Sequence, residues 1–115
     1  LMAQMALVGP MIGQHHQFHH YNPGKSDFGE ERYFKITKKI YQDLDNRLKN
    51  SKYLAGEKYS IADIATWPWM ARHEWHDIGL KNYSNLSKWY LDIAGRDAVI
   101  KGYDLYDNGS SIPKL

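Results

Sequence analysis

The chain is 115 residues long, 43% hydrophobic and 24% charged, with 9 glycines, 4 prolines and no cysteine. A chain of this length buries about two-thirds of the surface its unfolded state exposes, which fits one soluble domain and argues against disorder. The lack of cysteine excludes a disulfide scaffold, a thiolate zinc site, an iron–sulfur cluster and a cysteine nucleophile within these residues, and a net charge of +2 with interspersed signs disfavours nucleic-acid binding through a basic face.

The opening run Leu1 to Val8 is apolar, but it lacks the basic flank of a signal peptide and falls short of the ~20 apolar residues that span a bilayer. No membrane segment is expected. A helix that starts at Leu1 without a cap residue reads as a cut end. The first helix is expected from Leu1 to about His16, kinked at Gly9-Pro10 because proline removes a helical N–H and crowds the preceding turn. A polar loop follows through Tyr21-Asn22-Pro23-Gly24-Lys25. Asp27 as N-cap with Glu30 three residues on forms a capping box for a second helix, which runs to about Asn50. Tyr33, Ile36, Ile40, Leu44 and Leu48 recur every three or four residues and lay one apolar stripe along it.

Ser60 and Asp63 form a second capping box, with Tyr59 and Ile64 at the staple positions. The run Ile61 to Ala71 is apolar nearly all round, the pattern of a buried central helix near residues 61–78, bent at Pro68. Gly79 is a C-cap candidate and Ser84 the next N-cap. Leu86, Trp89, Tyr90 and Ile93 mark a fourth amphipathic helix closed by Gly95. A short helix over Asp97 to Lys101 precedes a Gly/Ser/Pro tail. The expected fold class is all-α, with a helical domain over 1–101 and a C-terminal tail over 102–115.

Six histidines raise the question of a metal site. His15/His19 and His16/His20 have the i,i+4 spacing of paired ligands, but no carboxylate lies between Leu1 and Lys25 to complete a set, so no metal is expected. His73-Glu74-Trp75-His76 has its histidines three apart and not the four of the zinc-protease helix. Asp63, third in a Ser-initiated helix, fits capping better than catalysis, and Trp67, Trp69, Trp75 and Trp89 fit a core. Arg32, near the start of the second helix, has two readings that stay open: a guanidinium forking a ligand carboxylate, or an ion pair with a nearby glutamate.

The block Tyr53-Leu54-Ala55-Gly56-Glu57-Lys58-Tyr59-Ser60-Ile61-Ala62-Asp63-Ile64-Ala65 resembles the segment before and through the buried sixth helix of cytosolic glutathione transferases, whose Ser-x-x-Asp capping box is a folding signature. Gly9 to Phe18, Glu31-Arg32-Tyr33 and Trp67-Pro68-Trp69 are similar to the bacterial nu class, relatives of the fungal nitrogen-regulation prion protein. The resemblance implies the all-helical carboxy-terminal domain, truncated at its first helix, of a cytoplasmic, homodimeric transferase or disulfide-bond reductase. Glutathione would be its substrate, or glutathione disulfide. It matches Arg32 to an arginine contacting a glutathione carboxylate, with Tyr33 adjacent, and Gln14, His15, His16 and Phe18 to a stretch at the mouth of the site. Sulfur activation would belong to an amino-terminal thioredoxin-like domain, so no catalytic residue is expected here. The alternative is a non-enzymatic interaction module of the same fold.

Overall fold

In the computed structural model, which describes residues 1–106 and 108–115, the first helical segment outruns its expected end. A wide π-helical turn over Gln4–Val8 leads into α1 (Gly9–His15), and a second over His16–Tyr21 carries the helix past His16. Gly9 N–H bonds back five residues to the Gln4 carbonyl. This widening just before Pro10 accommodates the proline at the start of α1, at the point where a kink is expected.

Helix α2 (Asp27–Lys49) is capped one residue earlier than expected. Ser26, with extended backbone, is the N-cap, and its hydroxyl accepts the Gly29 N–H at 3.1 Å. Asp27 is already helical and places its charge at the positive end of the helix dipole. Glu30 accepts the Gly24 N–H at 3.2 Å, so it orders the preceding loop and leaves the cap to serine. Of the apolar stripe, Ile40 and Leu48 are buried and Tyr33, Ile36 and Leu44 half-buried.

The apolar run near 61–78 is two helices, α3 (Ile61–Met70) and α4 (His73–His76). Pro68 lies inside α3, and the helix ends two residues later at Met70. Asp77, at a left-handed φ of 54°, ends α4, while Gly79, at φ 88°, enters a 3-10 turn over Leu80–Asn82. Nor is α3 buried all round: Ile61 and Ile64 are 62% and 52% exposed, so one apolar face lies open, and Ile64 is no buried staple.

Helix α5 (Ser84–Ala94) starts at Ser84 with Tyr83 as its N-cap. Its end is capped from another helix: Asp45 of α2 accepts the Asn85 and Leu86 N–H groups, both at 2.9 Å. A serine hydroxyl was expected there, but Ser84 is already one residue inside the helix. Leu86, Tyr90 and Ile93 pack with Ile12, Tyr41 and Met70 in the centre. Helix α6 (Asp97–Tyr103) precedes a tail that folds back, the Tyr90 hydroxyl donating to the Pro113 carbonyl at 2.7 Å. No described helix is long and apolar enough to cross a membrane.

The Ser60–Asp63 capping box forms as expected, but Asp63 does more than cap. Its carboxylate is wholly buried; Oδ2 accepts the Ser60 N–H at 3.0 Å, while Oδ1 accepts the Leu54 N–H at 3.0 Å and the Trp89 indole N–H at 2.8 Å. One side chain thus joins the 53–56 turn, the start of α3 and the middle of α5. Asp63→Ala leaves those buried donors without an acceptor and should lower the urea-derived stability by about 3–5 kcal/mol. Asp45→Ala removes only a cap at a half-buried position and should cost about 1–2 kcal/mol. A loss for Asp63→Ala no larger than for Asp45→Ala would contradict this ordering.

Candidate functional site

Two clusters of side chains meet the π-helical turn His16–Tyr21 from different sides. On the α2 side, Phe18 stacks on Tyr33, with ring centroids 5.5 Å apart and planes 12° from parallel. Gly29 makes this possible: a Cβ at that position would lie 2.8 Å from the Phe18 ring. The Arg32 guanidinium carbon lies 5.8 Å from the Tyr33 ring centroid, extending the stack to the surface of α2. Glu31 pairs with Lys35 at 2.8 Å, and Glu30 is turned toward Gly24 and His19. Arg32 therefore has no carboxylate partner among the described residues, which removes the intrachain ion-pair reading. Beside it, Phe28, 77% exposed, and Ile36 line a shallow depression of about 370 Å³. Gln14 is exposed one turn before Phe18.

The structure takes His15 and His16 away from this surface. Both are buried against α4. His15 Nε2 bonds to the His76 carbonyl at 3.0 Å, and His16 Nε2 to His76 Nε2 at 2.7 Å. The Tyr41 hydroxyl of α2 meets His76 Nδ1 at 2.6 Å. Burial holds all three imidazoles neutral, with neighbouring histidines adding to the effect: His15 is pushed down, His16 to about 4 and His76 to about 2. Burial, with Tyr83 and Tyr90 nearby, pushes the Tyr41 phenol up.

His19 joins the same contact from the surface, with Nε2 at 2.6 Å from Asp77 Oδ2 and Nδ1 at 3.6 Å from Glu30. His20 stacks on Trp75 at 4.1 Å. The i,i+4 histidine pairs thus face aromatic rings and carboxylates, and no group of three or more His, Asp or Glu side chains among the described residues is arranged to hold a metal ion. Tyr41 and His76 were not singled out by the sequence. His76 was weighed only as a zinc ligand, and Tyr41 lies one position off the α2 stripe, where periodicity assigns it no role.

Residues 5–97 match the family described as "Glutathione S-transferase, C-terminal domain". The chain belongs to that family. It is 42% identical over 99 residues to the Escherichia coli disulfide-bond oxidoreductase YfcG, covering 86% of this chain and 46% of that protein. It is 32% identical over 94 residues to the E. coli disulfide-bond oxidoreductase YghU, covering 74% of this chain and 32% of YghU. Among solved structures it resembles a Burkholderia graminis glutathione transferase with two glutathione molecules bound per subunit, with TM-score 0.83 and 30% identity over 94% of this chain and 48% of that one. It also resembles a Pseudomonas putida glutathione transferase with one glutathione disulfide bound per subunit, with TM-score 0.75 and 32% identity over 85% of this chain and 45% of that one. The chain therefore spans about half the length, or less, of these relatives.

The close fit of Phe18 over Gly29 is directly testable. Gly29→Ala should push the Phe18 ring off Tyr33, lowering stability by about 1–3 kcal/mol and changing the near-ultraviolet circular dichroism while the far-ultraviolet spectrum is kept. An unchanged near-ultraviolet spectrum would show that the stack tolerates a methyl group there.

Proposed function

We propose that this domain forms one wall of the glutathione site in a nu-class-like, glutathione-dependent transferase or disulfide-bond oxidoreductase. The observation that carries the reading is the ladder Phe18–Tyr33–Arg32, which ends in a guanidinium with no carboxylate partner among the described residues. Glutathione carries two carboxylates, and a guanidinium holds a carboxylate by two parallel charge-assisted bonds. Tyr33 and Phe18 keep the arginine against an aromatic surface, limiting the side-chain freedom lost on binding. Gln14 of α1, exposed one turn before Phe18, adds a neutral donor and acceptor at the rim. His15 and His16 act here as positioning residues, since their bonds hold the turn that carries Phe18.

The reaction is thiolate attack by glutathione on a disulfide or an electrophilic carbon, with the thiolate stabilised by a thioredoxin-like domain and the second sulfur or leaving group departing with the displaced electron pair. The names of YfcG and YghU and the glutathione ligands of the Burkholderia and Pseudomonas structures support this substrate class. Ile61 and Ile64 on α3, with Met2 and Met5 on the first segment, offer exposed apolar surface for a second domain. A two-fold dimer in the cytoplasm completes the reading.

In the full-length protein, Arg32→Ala should raise the KM for glutathione disulfide about tenfold to a hundredfold, as expected when a charge-assisted hydrogen-bonded pair is lost. Arg32→Lys should fall between, keeping the charge without the fork. Steady-state kinetics with unchanged KM in Arg32→Ala would remove this arginine from the site. Absence of any glutathione-dependent turnover or binding in the full-length protein would favour the interaction-module reading.

A further inference from the structure

We propose that His15, His16 and His76 form a proton-operated latch, fastening α4 to the first helical segment at neutral pH and releasing it locally in acid. The hydrogen bonds of α4 and its C-cap with that segment run through histidines, beside the ring contacts that Trp75 makes with His16, His20 and Tyr21. His15 meets the His76 carbonyl, His16 the His76 ring, and His19 the Asp77 carboxylate just beyond the helix. A four-residue helix has too few internal bonds to hold its place alone, so these contacts position it.

The proton arrangement follows from the partners. A carbonyl only accepts, so His15 carries its proton on Nε2 and leaves Nδ1 bare, buried and without a partner. The buried Tyr41 hydroxyl has His76 Nδ1 as its partner and donates to it, which puts the His76 proton on Nε2, where it is donated to His16 Nε2. Each neutral contact uses one proton. A further proton on either ring sets two N–H groups face to face across 2.7 Å, or moves the His76 proton to Nδ1, where it is donated to the Tyr41 oxygen and leaves the buried Tyr41 hydroxyl proton without its acceptor. One on His15 Nδ1 has no acceptor. His19 differs, because its partners Asp77 and Glu30 are carboxylates that hold a charged imidazole as well as a neutral one. Acid therefore breaks the His16–His76 contact, leaves His15 with a buried charge and a partnerless Nδ1–H although its bond to the His76 carbonyl persists, and spares the outer contact.

The histidine and arginine neighbours act in the same direction, while the carboxylates Glu30 and Asp77 act against it at His15, where burial outweighs them. From the first segment, His20 faces His16; from the turn before α4, Arg72 does, and His73 faces His76. All oppose a positive charge in the cluster. On α2, Tyr41 stays neutral and Glu30 lies toward His15 and His19, as does Asp77 at the end of α4. The closed latch resists protons, with His16 held near 4, whereas an opened imidazole takes them at its ordinary 6.5. The opened form therefore binds more protons. Closure is fully favoured above about 6.5 and is lost progressively as pH falls toward 4, the opening constant rising about tenfold per pH unit for each proton taken up.

Trp75 reports the event, since it stacks on His20 and meets His16 edge-on. In the full-length protein titrated from pH 7.5 to 4.5, its fluorescence should change with a steepness above one proton while far-ultraviolet circular dichroism is kept. Trp75→Phe should reduce that signal, with the remainder coming from Trp69, which stacks on His16 at 5.9 Å. In His16→Gln, whose amide still bonds but does not titrate, the steepness should fall by about one proton. Equal profiles in the parent and His16→Gln, or a fluorescence change that coincides with loss of helix, would overturn the latch. If His16→Gln does not fold, histidine ring resonances of the parent decide: simple titration near 6.5 with no change at Trp75 would equally overturn it.

Discussion

The carboxylate of Asp63 is the constraint on which the rest of the molecule depends. A buried charge is costly unless its lone pairs are filled, and Asp63 is filled from three directions by Ser60, Leu54 and Trp89. Because those donors lie on the 53–56 turn, α3 and α5, satisfying one side chain sets the relative placement of all three. A cap made by an exposed aspartate would order one helix end and nothing else.

Asp45 repeats the principle on a smaller scale. It projects from α2 into the amino-terminal end of α5, so the long helix and the core helix are joined by two backbone amides as well as by apolar packing. Together the two aspartates hold α5 between α2 and α3. The fully buried Leu86, Tyr90 and Ile93 then fill the space that these polar contacts define.

Much of this was legible where one residue acts on its own neighbours. The Ser60–Asp63 box, the α2 stripe and the α5 residues Leu86, Trp89, Tyr90 and Ile93 all appear where local spacing puts them. The misplacements have a common cause, a partner distant in sequence. Ser84 lost the cap to Asp45, 40 residues away from Asn85. The first segment ran past His16 because contacts with residues some 60 positions on continue it. The apolar run of α3 predicts all-round burial, but periodicity measures only which faces are apolar, not whether this chain covers them. In the candidate site the pattern holds too. Phe18 and Tyr33 entered through a family resemblance and Arg32 through its place at the start of α2; the i,i+4 spacing of Glu31 and Lys35 already allowed their pairing, yet the glycine that lets the stack form is visible only in three dimensions.

The π-helical turn His16–Tyr21 is where the two clusters bear on each other. With its i→i+5 bonds it winds more slowly than an α-helix, so His16 and His19 reach α4 while Phe18, between them in sequence, reaches Tyr33 on α2. The histidine bonds therefore fix the rotation of the turn, and that rotation sets where the Phe18 ring meets Tyr33 beside Arg32. Residues without a role at the ligand surface can in this way determine its shape. A substitution at His16 or His76 acts on the Phe18–Tyr33 stack through the backbone, whereas one at Arg32 leaves the turn untouched and acts on the surface alone.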